Sequence, residues 1–472
     1  MLGATELDWQ GRARLNSLGS LEGMDPLGNA RAAIDWAFSR TDDATIGVLL
    51  TIAAVPVWMH FSLALECREY LDRALKIYAV DLQPDPCLEM RLLTAHGTAL
   101  LSTTEASAET RRAFQRALGI AEHLGDKDYQ LRNLWGLCSV CLNEGDVRAV
   151  QGVVEQFYGL GSEAGDPRTL AWADLFRGGV MSVLGELASA RKHIERMVEW
   201  SDLNDEHPSS GRFIFNRRVL ALGLLGSIMC QQGHADQGKR RFEESVAEAI
   251  SNDHVLSLCS ALANWVCVQM LERGDLAEAE HHLNMAVDHA SRYRLDVWLL
   301  WARCFEGALL TKKGDLQEGL RVLRASFAEL SSADHHPRFT KLRALYADAL
   351  HRAGNDAEAL TVVDEAIGAV QSHGHLWMVS ELLRIKACIL SRQPGVQTQE
   401  DADSLLKKAL GVACQQGSLS SQLKIAISLV RLRHTVGHAE GALSVLQEIY
   451  GQFHEGFETT DLKEAKALLE EG

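Results

Sequence analysis

From about residue 29 onward, apolar positions follow helical spacing in segments long enough for helices, and short polar turns interrupt them at a nearly constant interval. The turns have the form Gly followed by Asp, His, Asn or Glu. They stand at Gly145-Asp146, Gly185-Glu186, Gly233-His234, Gly274-Asp275, Gly314-Asp315, Gly354-Asn355 and Gly437-His438. Successive spacings are 40, 48, 41, 40 and 40 residues up to Gly354, and the 83 residues to Gly437 leave room for one more turn, supplied by Pro394-Gly395. A fixed period of this size predicts a solenoid of helix pairs.

Positions inside each period support this. Five residues after the turn glycine a small residue recurs (Ala190, Gly238, Ala279, Gly319, Ala359, Ala442), and nine after it a bulky apolar one (Ile194, Phe242, Leu283, Leu323, Val363, Leu446). Seven residues before it stands another small residue: Cys138, Gly178, Gly226, Cys267, Gly307 or Ala347. Two antiparallel helices joined by a short turn pack closely only where a missing side chain admits the neighbour's bulky one. The glycine ends the first helix in a left-handed conformation and the following Asp or Asn caps the second. Leu71 to Leu75 and Phe114 to Leu118 read as second helices of two earlier units, with turns near Ser62 and Glu105, for about ten pairs in all.

Composition agrees: 47% hydrophobic and 23% charged residues, with only 8 prolines in 472, suit a folded, helix-rich chain too long for one ordinary core. The net charge of −16 opposes direct nucleic-acid binding, which needs a basic surface. The ten cysteines are scattered, Met1 to Leu21 lacks a basic segment followed by an apolar core, and no run of 18 apolar residues occurs. The expectation is a cytoplasmic chain with reduced thiols and no membrane segment, whose most apolar stretch is Ile46 to Phe61.

The glycine turn with small residues seven before and five after, and a bulky one nine after, resembles the tetratricopeptide repeat. The period is nearer 40 than 34, however, and the proline closing each repeat is mostly absent. Longer helices of this kind resemble the repeat arm of bacterial signal-transduction ATPases and winged-helix transcriptional regulators of the maltose-regulon-activator type. Asn29 to Ala37 resembles the segment that follows the nucleotide-binding and winged-helix modules there. Glu381 to Lys386, and Glu455-Gly456-Phe457 through Lys463, resemble the end of the same arm. The resemblance implies an all-α, right-handed superhelix (α-solenoid) without the ATPase or DNA-binding module. The expected organisation is an N-terminal segment over 1–28, taken as poorly ordered, N-terminal helical repeats over 29–125, the main array over 126–450 and a capping segment over 451–472.

Candidate chemistry is sparse. Gly233-His234-Ala235-Asp236-Gln237-Gly238-Lys239-Arg240 has P-loop spacing, but Arg240 stands where Ser or Thr must hold magnesium, and a helical pattern rather than a strand precedes it. Cys138 and Cys141 form a lone CxxC whose first thiol falls on a packing position, so buried small hydrophobes are expected rather than a metal pair. His281-His282, His335-His336 and His373 with His375 make no helical zinc arrangement, and no Gly-x-Ser-x-Gly elbow occurs. A binding protein without catalytic residues, cofactor or metal is expected.

In a superhelix of pairs the first helix of each pair lines the concave face. The candidate partner-binding residues there are Arg132, Trp135, Trp172, Arg212, Phe213, Asn216, Arg217, Asn264, Trp301, Arg303 and Lys341, with Trp265 and Trp298 on the same helices. Inward cations on an acidic chain favour a protein or peptide partner, or a small acidic effector. Two functions fit, a sensor arm and a stand-alone adaptor. The insertion Asn204 to Gly211 is expected to form a loop at the mouth of the array.

Overall fold

The computed structural model describes residues 26–40, 44–103, 108–203, 215–329, 337–393, 395–435 and 440–471, and every regular element among them is helical. Helix α1 (Pro26–Phe38) precedes the array. The first three pairs are α2 (Ala44–His60) with α3 (Ala64–Asp81), α4 (Pro86–Thr103) with α5 (Ala108–Leu124), and α6 (Lys127–Glu144) with α7 (Val147–Ala164). Pairs four to six are α8 (Pro167–Leu184) with α9 (Leu187–Leu203), α10 (Arg217–Gln231) with α11 (Ala235–Ser251), and α12 (Val255–Arg273) with α13 (Leu276–Arg292). Pairs seven and eight are α14 (Asp296–Lys313) with α15 (Leu316–Glu329) and α16 (Pro337–Arg352) with α17 (Asp356–His373). Pairs nine and ten are α18 (Val379–Ser391) with α19 (Val396–Gln416) and α20 (Leu419–Thr435) with α21 (Glu440–Tyr450). Helix α22 (Thr460–Glu471) follows the last pair. The chain is an all-α solenoid, with ten pairs among the described residues.

Six of the seven turn glycines lie among the described residues, and all six are left-handed, with φ between 70 and 101°. Asp146 caps α7 by accepting from the Ala149 N–H. Gly437, Glu105, Asn204 to Gly211 and His335-His336 fall outside the described residues, as do 1–25, while Pro26 to Gly28 already belong to α1. A second glycine set went unread in the sequence. Gly125, Gly165, Gly374 and Gly417 also have positive φ and end second helices midway between the first set.

The small positions do what their spacing implied. A Cβ on Gly226 would lie 2.9 Å from the Gly238 carbonyl oxygen, and one on Gly238 would lie 2.7 Å from that of Gly226. Gly307 and Gly319 repeat this at 3.0 and 2.7 Å. Phe242 and Leu323, the bulky residues of these two pairs, are buried against the opposing glycine. Gly238→Ala is therefore expected to pry α10 from α11 and cost about 1–3 kcal/mol, read from the urea midpoint of the whole chain. An unchanged midpoint would contradict the close approach.

The array also touches itself. Helix α16 meets α6, the turn before α18 meets α8, α20 meets α10, and α22 meets the end of α12. Each contact joins elements five pairs apart, so one superhelical revolution takes about five pairs and closes on itself. Among the described residues Val255–Arg273 is long and apolar enough to cross a membrane, but most of it is buried within the protein. The apolar stretch from Ile46 falls in α2, which is shorter.

Candidate binding cavity

The first helices of successive pairs turn one face inward, and together they enclose a cavity of about 330 Å³. Trp135, Trp172, Trp265, Trp298, Trp301 and Trp377 all line it. The rings support one another edge to face. Centroids are 5.8 Å apart for Trp135 and Trp172, 5.2 Å for Trp298 and Trp301, and 5.7 Å for Trp301 and Phe339. Such a wall is rigid and mostly apolar. Its polar groups are few and uncharged over most of the surface, among them Ser139, Ser182, Ser227, Gln231, Asn264 and Gln269.

Helix α12 contributes most through an irregularity. Its residues Leu262–Val266 form a π turn, which widens the helix by one residue and brings Ala263, Asn264 and Trp265 together onto the cavity wall. The Trp265 ring lies against Gly223 of α10, where any Cβ would collide with it. Asn264 Nδ2 donates to Ser260 Oγ at 2.9 Å, which fixes the amide at the surface. Trp377 arrives differently, on the short 3₁₀ turn Leu376–Met378 that meets α8 across the interior. Its buried indole N–H has no acceptor among the described residues.

One wall residue, Lys341 of α16, also lines a second, charged chamber of about 140 Å³ beneath the C-terminal pairs. There Lys341 donates to Glu272 of α12, and Lys424 of α20 lies 3.5 Å from the same carboxylate and 3.8 Å from Asp461. Arg384 forks onto Glu381, both contacts at 2.8 Å, and Arg431 lies 2.7 Å from Glu464. Burial pushes the Glu272 carboxyl up, but the two lysines outweigh it and hold it at about 2. Burial also raises Glu381, and Arg384 overrides it to leave that carboxyl well below its usual range.

Both carboxylates are depressed in the folded chain, so their stabilisation is fully present above the ordinary value of 4.5 and is lost as pH falls toward 2. Burial pushes Glu464 the other way, one group against two. Hydrogen exchange across this window is therefore expected to show α20 and α22 opening as acid is added. Uniform protection down to pH about 2 would refute it.

A second contact across the revolution explains the P-loop look-alike. Its segment is a helix–turn–helix: α10 ends at Gln231, Gly233 is left-handed, and α11 starts at Ala235. The anion-binding N-terminus of α11 is filled from within the chain. Glu455 Oε1 accepts from the backbone N–H groups of Asp236 and Gln237, both at 3.0 Å, and Gly456 N–H donates back to Asp236 Oδ2 at 2.9 Å.

Of the residues expected at the binding face, the structure gathers Trp135, Trp172, Asn264, Trp301 and Lys341 around the cavity. It places four others elsewhere. Arg132 donates to Asp128 one turn earlier and stacks over Tyr129, and Arg217 stacks over Trp200. Asn216 caps α10 by accepting from Arg218 and Val219 N–H, and Arg303 is exposed beside Glu329. Arg132 has its acid one helical turn away and Arg303 has Glu329 on the paired helix, so both are engaged away from the cavity. Arg212 and Phe213 lie outside the described residues. Cys138 and Cys141 are core residues, and burial pushes both thiols up.

No protein-family model matches the chain. An uncharacterized protein of Rhizobium meliloti (strain 1021) is 24% identical over 409 residues, covering 83% of this chain, and the chain spans 38% of that relative's length. Among solved structures, a Rap protein complexed with competence and sporulation factor superposes with a TM-score of 0.47 at 10% identity, over 88% of this chain and 100% of that one. NprR in complex with its cognate peptide NprX superposes with a TM-score of 0.46 at 11% identity, over 74% of this chain and 96% of that one.

Proposed function

We propose that the chain is a non-catalytic regulatory scaffold that takes an effector or a short peptide into the interior of its superhelix. The observation that carries this reading is the tryptophan-walled cavity built from first helices, with a π turn spent on its surface. At about 330 Å³ it falls in the size range of ligand sites, apolar with a few placed polar groups. Lys341 joins the cavity to the buried ion pairs that hold the revolution closed, so occupancy and closure bear on each other. The resemblance of the repeats to the arm of signal-transduction ATPases and winged-helix regulators suits a sensor arm whose output module is a separate unit.

The test uses bis-ANS, an aromatic probe that carries two sulfonates, and the whole chain. Saturable binding near one equivalent is expected, with quenching of the cavity tryptophans. Ser182→Trp and Ser227→Trp, which fill the cavity from α8 and α10, are expected to abolish it while helical circular dichroism persists. Probe binding that survives both variants would refute the cavity as the site. A protein partner captured equally by the filled variants would favour the adaptor reading, in which the outer surface does the binding.

A further inference from the structure

The charged chamber holds ten ionisable side chains, and eight are accounted for by ion pairs among themselves. The two remaining are Lys312, at the end of α14, and Asp348 of α16. Neither is within ion-pair or hydrogen-bond distance of another side chain among the described residues, and each is felt by the other only through space. One cation and one anion are thus left facing a void of about 140 Å³. Burial pulls the Lys312 ammonium below its ordinary value, and Asp348, whose charge it feels across the void without contact, is the largest influence opposing that. Such groups are costly to keep and concentrate where ligands bind.

We propose that this chamber is a subsite for the head group of a free α-amino acid, with Lys312 taking its carboxylate, Asp348 its ammonium, and its side chain reaching past Lys341 into the tryptophan cavity. The proposal rests on the reading that the interior is a binding site. Charge balance selects the ligand class. The chamber is neutral as it stands, with five cationic and five anionic groups. A ligand with one charge would leave a net charge buried beside low-dielectric walls, whereas a zwitterion satisfies both free groups and leaves none. A peptide presents its two termini far apart and would meet only one of them. The adjoining aromatic wall then sets the preference for bulky apolar side chains.

Calorimetric titration of the whole chain with L-leucine, L-phenylalanine and L-tryptophan tests this, with 3-phenylpropionate (no ammonium) and phenethylamine (no carboxylate) as controls. At least one amino acid is expected to bind, and each control to bind at least about tenfold more weakly than L-phenylalanine. Lys312→Met and Asp348→Asn are each expected to cost at least about tenfold in amino-acid affinity, with bis-ANS binding retained as proof of an intact cavity. The conservative Lys312→Arg is expected to keep most of the affinity. Binding of 3-phenylpropionate as tight as that of L-phenylalanine would overturn the proposal, as would amino-acid binding indifferent to both variants. Absent amino-acid binding with bis-ANS still bound overturns the subsite alone. Absence of both overturns the cavity reading as well.

Discussion

Glu272→Ala is expected to destabilise the chain by about 3–5 kcal/mol and to release the C-terminal pairs from the middle of the array. Glu272 is the shared counter-ion of Lys341 and Lys424, and all three side chains are largely shielded from solvent. Removing it leaves two ammonium groups facing each other with Asp461 as the nearest remaining acid for one of them. The urea midpoint should fall, and small-angle scattering should report a larger radius of gyration as the revolution opens. The double variant Glu272→Ala, Lys341→Met should recover part of the loss, because an apolar side chain tolerates the dry wall where an unpaired ammonium does not. Equal stability of Glu272→Ala and the unmodified chain would show that the pairs do not hold the closure.

Glu455→Lys acts on the second contact and is expected to cost about 2 kcal/mol, most of it local. Glu455 serves α11 as an N-cap from 219 residues away, and reversal of its charge sets an ammonium against the positive end of that helix. Gly456 beside it approaches Ala235 so closely that a Cβ there would sit 2.8 Å from the alanine methyl. Hydrogen exchange should accelerate over 453–471, where Phe453, Leu462 and Ala465 now bury against the last pair, with less change in α6 to α9. Unchanged exchange there would refute the latch.

Much of the fold was legible because it is local. A glycine ending a helix, small residues seven before and five after it, and a bulky one nine after report packing within a single pair, and the geometry at Gly226 and Gly238 is the physical content of that pattern. The tryptophans facing the interior were legible too, since helical register alone assigns Trp135, Trp172 and Trp301 to one side. The partners of the arginines were not legible for a related reason. Register places a residue on a helix face, but Arg132 finds Asp128 on its own helix, and that pairing is decided by neighbours rather than by the fold. Trp377 was unreadable because it sits on a 3₁₀ turn outside the first-helix register. The π turn of α12 leaves no mark on the spacing of its apolar residues. The contacts between Glu272, Lys341 and Lys424, or between Glu455 and Asp236, join residues whose separations carry no period.

An open repeat array can lengthen by a unit without penalty, since each unit answers only to its neighbours. This chain has given up that freedom. Because elements five pairs apart touch, deleting or inserting one pair between α13 and α17 would swing everything beyond it by about a fifth of a revolution. Glu455 would miss the start of α11, and Lys424 would miss Glu272. Pair number in the middle of the molecule is thereby held fixed by geometry, whereas among the described residues the pairs before α6 take no part in these closing contacts.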